Sequence, residues 1–200
     1  MQTVIDQFRL EIVRVRNLDA IYKILKIQTT VALELDDILR AELVMVVSAL
    51  DLYIHEVTRI GMLDAYSNIR KRTSSLLKFQ ITLENVFSGI STHPDTNWLD
   101  IQIRTNHSYK SFQDPDKIAD AIRLISDVKL WDEVGKLLSR PANEIKEQLK
   151  LISERRNKIA HEADLNPSVP GKRWPVDDKW VNEAINFIEQ VVEGIHTLII

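Results

Sequence analysis

The positions of the prolines constrain the fold of this chain more than any other feature of its sequence. All six prolines lie at or after Pro94, and a proline inside a helix removes a backbone donor and clashes with the preceding turn. The first 93 residues can therefore form long uninterrupted helices, whereas the rest must be divided into shorter ones. Apolar residues at intervals of three and four predict a first helix over roughly residues 3–27. A second, over roughly 31–61, is apolar nearly all round and should be the central helix.

The remaining segments also indicate helices, separated by turn-forming residues. A third helix is predicted over roughly residues 68–88, ending near Gly89 as a cap residue. Residues 91–115 are rich in turn formers and polar side chains, which predicts a long loop. Further helices are predicted from Pro115 or Asp116 to Ile125, over 131–138, from Pro141 to about His161, and from Asp177 or Asp178 to near the end of the sequence. Since no strand pattern of useful length occurs, the predicted class is all-α.

Composition limits the classes of protein to be considered. The chain has 200 residues, 44% hydrophobic and 28% charged, which suits one compact helical domain over residues 1–200. It has no cysteine, which excludes disulfides, thiolate catalysis and cysteine zinc sites, and fits a reducing compartment. We read no secretory signal and no apolar run of the ~20 residues that a membrane-spanning helix requires. We therefore expect a cytoplasmic protein with no membrane partner.

The charge of the chain bears on nucleic-acid binding. A net charge of −3 argues against a protein that coats DNA, because such proteins neutralise many phosphates. Basic clusters at residues 70–72, 155–158 and 172–173 still permit a small RNA footprint.

One charged residue occupies an unexpected position in the helix predicted from Pro141 to His161. Ile145, Leu149, Ile152 and Ile159 define an apolar stripe, and Arg156 falls on that stripe. Because burying an unpaired guanidinium is costly, Arg156 must lie at a bundle end, bind a fixed partner, or line a solvated cleft. The alternative is an arginine that extends to solvent near the helix end.

Two further polar residues follow Arg156 on the same helix. Asn157 and His161 are one turn apart on the same face, while Arg156 and His161 diverge by roughly 140°. A groove shared between two protomers would bring these side chains together more naturally than one isolated helix does.

The string RRNKIAHEADLNP, residues 155–167, resembles the R-x4-6-H signature of HEPN ribonucleases, with Asn157 directly after Arg156 and with His161 as the histidine. The segments SYKSFQDPDKIADAIRLI at 108–125, LWDEV at 130–134 and RWPVDD before the last helix are similar to the RiboL-PSP branch of that family. Arg155 also fits the spacing, but Asn157 follows Arg156, and Arg156 lies on the inward stripe. HEPN toxins paired with a nucleotidyltransferase antitoxin have a tyrosine where this chain has Ala163, so control by modification of that residue is not expected.

The resemblance implies a HEPN-type up-down helical bundle and a metal-independent RNA endonuclease without a cofactor, acting as a toxin or in antiviral defence. His161 would remove the proton of a 2′-hydroxyl, because an imidazole exchanges protons near neutral pH. Arg156 would stabilise negative charge on the phosphoryl oxygens, and Asn157 would orient the imidazole or the phosphate. The products would carry a 2′,3′-cyclic phosphate and a 5′-hydroxyl. We expect a symmetric homodimer with a composite site, and an antitoxin or regulatory protein is a candidate further partner.

Other residues are candidates for contacts with RNA. Arg155 and Lys158 flank the motif, and the cluster of His107, Ser108, Tyr109 and Lys110 could stack a base or bind phosphate, or be an ordinary loop. Asp51 and His55, one turn apart, read as a buried hydrogen-bonded pair more readily than as a metal site, and whether they support the active site is open. His93 and His196 have no partner that the sequence identifies. Two functions compete with the enzyme: a noncatalytic HEPN module that binds nucleotide, RNA or protein, and a purely structural helical domain.

Overall fold

The computed structural model describes residues 1–28, 34–92 and 95–200. Within these ranges the chain is all-α, as the sequence predicts, and its only extended pairing is an isolated bridge between Leu165 and Arg173. The α-helices are α1 (Gln2–Gln28), α2 (Asp36–Tyr66), α3 (Leu83–Thr92), α4 (Asn97–His107), α5 (Pro115–Arg123), α6 (Leu130–Leu138), α7 (Ala142–Glu162) and α8 (Asp178–Ile199), with a 3₁₀ helix at Leu76–Lys78. Among these described helices, none combines the length and apolar character needed to cross a membrane.

The second helix is the centre of the fold, which confirms the sequence prediction. α2 contacts α1, α4, α5, α7 and α8, and Leu43, Val47 and Ile54 on it have no exposed surface. A helix that is apolar nearly all round can bury its surface only when neighbours enclose it. α2 ends at Tyr66, later than predicted, and the predicted start at residues 31–33 lies outside the described residues.

The predicted helix over residues 68–88 is wrong. Asn68 has a left-handed backbone with φ 60°, which ends the helical path. The following arginines then bond to backbone carbonyls: Arg70 donates to Ile125 O at 3.2 Å, and Arg72 donates to Ala65 O at 3.2 Å. Gly89 lies inside α3 and does not cap it. An ideal Cβ there would stand 2.5 Å from the Trp98 ring, so the close packing of α4 requires glycine.

The predicted long loop over residues 91–115 is also wrong. α4 occupies its middle, and on α4 Leu99 and Ile103 are buried against α2. The burial of these two apolar side chains outweighs the turn-forming composition around them, since tertiary packing routinely overrides local propensity. The irregular part of the segment is reduced to the connection after His107, while His93 and Pro94 lie outside the described residues.

The last helices begin and end where the sequence indicates. The carboxylate of Asp114 accepts from the backbone N of Asp116 at 2.9 Å and so caps α5, while Asp177 caps α8 in the same way. The predicted stripe on α8 is buried from Val181 to Ile195. α7 ends at Glu162, and the next residue, Ala163, has a left-handed backbone with φ 50°. α7 thereby presents its last two turns at one end of α2.

Candidate active site

The apolar stripe on α7 packs as predicted. Ile145, Leu149 and Ile152 are buried, and Ile159 is partly buried against the same core. Ser153 is buried as well, and its Oγ donates to the backbone oxygen of Gln113 at 2.9 Å. These contacts fix the rotation of α7 about its own axis and therefore the direction in which the residues of the motif point.

Arg156 is half-buried and has no carboxylate partner among the described residues. Its Nη1 donates to Oδ1 of Asn157 at 3.1 Å, and its Nε is buried without a hydrogen-bond partner in that part of the chain. A guanidinium has five N–H donors and a full positive charge. Most of that capacity is unused here, so Arg156 can bind an anion with oxygen acceptors.

Asn157 and His161 are exposed and lie one turn apart on α7. Ser153 lies one further turn back, so the three residues share one face of the helix. In the described part of the chain, His161 forms no side-chain hydrogen bond or ion pair. The imidazole is therefore open to a ligand that approaches the end of α7.

The loop after α7 is anchored by a buried carboxylate that the sequence reasoning did not identify. Asp164 is 1% exposed, and its Oδ2 accepts from Arg40 Nε and from Arg155 Nη2, each at 2.8 Å. Both arginines also donate to the backbone oxygen of Trp174, at 2.9 and 3.3 Å. The backbone N of Trp174 donates to Asp164 O at 2.8 Å. The Asp164 clasp, as we name these four residues, ties the proline-rich connection to the end of the motif helix.

The clasp gives the adjacent residues Arg155 and Arg156 different roles. Arg155 is held by Asp164 and by backbone carbonyls, and burial lowers its pKa, partly opposed by the charge of Asp164. Its guanidinium is thus committed to the fold and is not presented to a substrate, unlike that of Arg156. Lys158 is exposed, and its Nζ lies 5.5 Å from the centroid of the Trp174 ring. It remains accessible to RNA.

The cluster predicted at residues 107–110 does not form. His107 ends α4 and is 2% exposed, and its two ring nitrogens have no partner among the described residues. Burial lowers its pKa to about 4, so the ring is neutral at physiological pH. Tyr109 and Lys110 are exposed, because the chain turns outward after His107. Of the cluster predicted here, Ser108, Tyr109 and Lys110 face solvent, and His107 does not.

Asp51 and His55 do not form the predicted hydrogen-bonded pair. Their Oδ1 and Nε2 atoms are 3.9 Å apart, and Asp51 accepts instead from the backbone N of Phe112. His196, for which the sequence offered no partner, shares a buried hydrogen bond of 3.1 Å with the Tyr53 hydroxyl. No group of three or more histidines and carboxylates suited to a metal ion occurs within the described ranges.

The segment after α4 joins the central helix to the motif helix. Phe112 is bonded to α2 through Asp51, and Gln113 is bonded to α7 through Ser153. Because Ser153 shares its face with Asn157, this segment reaches the motif face one turn before the motif.

The all-α bundle, with the RNKIAH segment at the end of its penultimate helix, has the features of a HEPN domain. A family model described as RiboL-PSP-HEPN matches residues 12–200. The chain therefore belongs to the RiboL-PSP-HEPN family. No significant match is found among curated proteins or among solved structures.

Proposed function

We propose that the protein is a metal-independent RNA endonuclease whose reacting groups are Arg156, Asn157 and His161. One observation carries the proposal: a guanidinium without a carboxylate partner in the described chain is bonded to the exposed amide of Asn157, and the exposed imidazole of His161 lies one turn beyond that amide at the same helix end. The family supports the proposal, because it is a HEPN family and many HEPN domains are ribonucleases.

The chemistry follows from these three groups. His161 removes the 2′-hydroxyl proton, and the resulting oxygen attacks the adjacent phosphorus. The bond from phosphorus to the 5′ oxygen breaks, which gives a 2′,3′-cyclic phosphate and, after protonation of the leaving oxygen, a 5′-hydroxyl. Arg156 contacts the phosphoryl oxygens as their negative charge increases. Asn157 orients the guanidinium through the bond between its Oδ1 and Nη1 of Arg156.

A two-fold dimer completes the site in this proposal. General acid and base catalysis uses one group to take the 2′ proton and another to protonate the leaving oxygen, whereas one motif has a single imidazole. Asn157 and His161 are exposed and are not packed into the protomer's own core. Two such pairs of residues across a two-fold axis, the commonest homo-oligomer symmetry, supply both groups. Lys158, Tyr109 and Lys110 are the exposed residues to which we assign further RNA contacts.

The decisive experiment is cleavage of structured and single-stranded RNA in EDTA. His161→Ala and Arg156→Ala should each lose ~100-fold or more in rate with unchanged helical content. Lys150→Ala, which removes an exposed charge from the same helix outside the motif, is the matched control and should cleave normally. Cleavage at the wild-type rate by either motif variant would refute the site. Activity that is abolished by EDTA and restored by Mg²⁺ or Mn²⁺ would refute the mechanism.

The dimer has a separate test. Inactive His161→Ala and Arg156→Ala proteins are mixed, and both activity and mass are measured. Partial recovery in mixed dimers is expected, because one mixed site retains complementary groups. A fully active monomer would exclude the composite site. RNA binding without cleavage by any form would favour the noncatalytic module.

We infer a toxin or defence role from the family resemblance. Expression of the wild-type protein in a bacterial host should then arrest growth, and expression of His161→Ala should not. Equal growth with both proteins, at equal expression, would argue against that role.

A further inference from the structure

A pocket lies between α2 and α4, apart from the motif. Its volume is about 280 Å³, and its lining includes Leu52, His55, Glu56, Arg104 and His107. Small-molecule sites usually span ~300–1,000 Å³. The pocket is slightly smaller than that range, so it suits a single planar group more than an extended ligand.

The pocket contains an unsatisfied buried histidine. His107 lines it, is 2% exposed, and has no hydrogen-bond partner for either ring nitrogen among the described residues. Buried polar side chains are nearly always hydrogen-bonded, and each exception requires an explanation. Because the ring is neutral, it has one donor and one acceptor. A ligand edge with an acceptor or a donor would satisfy one of the two nitrogens.

Aromatic rings surround this histidine. The ring centroids of His55, Phe79 and Phe112 lie 6.3, 6.0 and 5.5 Å from that of His107, and His55 and Phe112 are 4.5 Å apart. Sites for single-stranded RNA bind bases by stacking on such rings and by hydrogen bonds to the base edge.

The charged residues near the pocket compensate one another. Arg59 donates to Glu56 at 2.7 Å and to Asp100 at 3.0 Å, and Arg104 donates to Glu56 at 3.2 Å. Two guanidinium groups and two carboxylates leave no net charge. The wall therefore has polar atoms without a field that would select a phosphate or a metal cation, and this favours a neutral heterocycle.

The residues that pack behind the pocket are bonded to the motif helix. Phe112, whose ring packs on His55, is bonded to Asp51 on α2, and the next residue, Gln113, accepts from Ser153 on α7. Ser153 is one turn before Asn157 on the same face. Phe112, Gln113 and Ser153 are buried, so the contact is a structural link between the surroundings of the pocket and the motif helix.

We propose that the pocket around His107 binds one base of a single-stranded RNA substrate. This inference rests on the endonuclease function proposed above and names the feature that gives it base preference. The nitrogens of His107 have almost no contact with solvent, so binding of a base requires a neighbouring side chain to move. In this proposal that side chain is His55, which also lines the pocket and is 24% exposed.

The test uses the wild-type protein with ¹⁵N-labelled histidine. Adenosine, guanosine, cytidine and uridine are titrated separately while the imidazole nitrogen resonances of His107 are followed by NMR. We expect at least one nucleoside to shift these resonances in a saturable manner, and ribose 5-phosphate and inorganic phosphate to leave them unchanged. An equal shift with inorganic phosphate alone would overturn the assignment to a base.

A variant gives an independent measurement. His107→Phe keeps the aromatic volume but removes both nitrogens, and should weaken binding of an uncleavable 2′-O-methyl RNA decamer by roughly tenfold, because a site built to hydrogen-bond a group discriminates strongly when that bond is lost. Thr105→Ala is the control, because Thr105 is an exposed residue of α4 that does not line the pocket. If the variant fails to fold, the wild-type titration still decides.

The two proposals can fail separately. RNA cleavage by a wild-type protein whose His107 resonances respond to no nucleoside and no decamer would refute the base pocket and leave the endonuclease intact. A nucleoside-dependent shift of His107 in a protein that cleaves no RNA would refute the endonuclease and leave a nucleobase site.

Discussion

Two buried titratable groups should give this protein opposing pH dependences of stability. Glu42 is 0% exposed, and its carboxylate oxygens have no partner in the described chain. Burial raises its pKa from 4.5 to about 7, with a smaller increase from Asp19 and an opposing effect of Lys23. Burial lowers the pKa of His107 from 6.5 to about 4, assisted by nearby Lys110.

The signs of the two effects are opposite. The folded chain binds the Glu42 proton more tightly than the unfolded chain, so that stabilisation is complete below pH 4.5 and is lost as pH rises through about 7. The neutral form of His107 is favoured in the folded chain, so its stabilisation is complete above pH 6.5 and is lost as pH falls through about 4. At about 1.4 kcal/mol per pKa unit, each group changes the free energy of unfolding by about 3 kcal/mol across its range.

Between pH 4.5 and 6.5, the changes with pH that Glu42 and His107 cause in the free energy of unfolding should nearly cancel in the wild-type protein. Glu42→Gln removes one of them, so its free energy of unfolding, relative to wild type, should rise by about 1.4 kcal/mol per pH unit from pH 4.5 toward 7 and then level off. His107→Phe should instead gain relative stability as pH falls from 6.5 toward 4.

Urea unfolding followed by circular dichroism, at fixed protein concentration across this range, measures both differences. Glu144→Gln, an exposed glutamate on α7, is the matched control and should show no pH-dependent difference. A Glu42→Gln difference that is constant from pH 4.5 to 8 would show that burial does not perturb this carboxyl group, and the reasoning would be refuted.

Three further substitutions test the fold around the site, each by the same urea assay. Asp164→Ala removes the shared partner of buried Arg40 and Arg155, and should lower the free energy of unfolding by about 3–5 kcal/mol; a loss under about 1 kcal/mol would contradict the Asp164 clasp. Ala163→Gly should stabilise the protein by about 0.5–1 kcal/mol, because the residue is left-handed with φ 50°. Asp114→Ala should cost about 1 kcal/mol by removing the cap of α5, and no change would show that the cap is dispensable.

Where the sequence prediction of the fold succeeded, the signal was local and repeated. The prolines and the apolar periodicity indicated α1, α2, α7 and α8, because each long helix buries a stripe that recurs every turn. The prediction failed around α3 and α4. There, turn-forming residues outnumber the apolar ones, and the few apolar side chains, Leu99 and Ile103, determine the structure by packing on α2.

At the candidate site, too, the sequence predicted some positions and not others. The spacing of Arg156, Asn157 and His161 follows from the sequence, because the position of one residue relative to another on a helix depends only on the turn. The positions of Tyr109 and Lys110 relative to His107 did not follow. The sequence could not show that α4 continues through His107 and carries that ring into the core.

The sequence by itself determined the helical class, the start of α5, the cap of α8, and the order of polar residues along the motif, since hydrogen bonds and periodicity act within a turn or two of the chain. Only the tertiary structure decided which of two adjacent arginines is free. Arg155 donates to the buried carboxylate of Asp164, which also accepts from Arg40, 124 positions away from Asp164 in the sequence. The two guanidinium groups compensate the charge of this buried carboxylate. The packing of α2 against α7 brings these residues together, and no local sequence pattern predicts that packing.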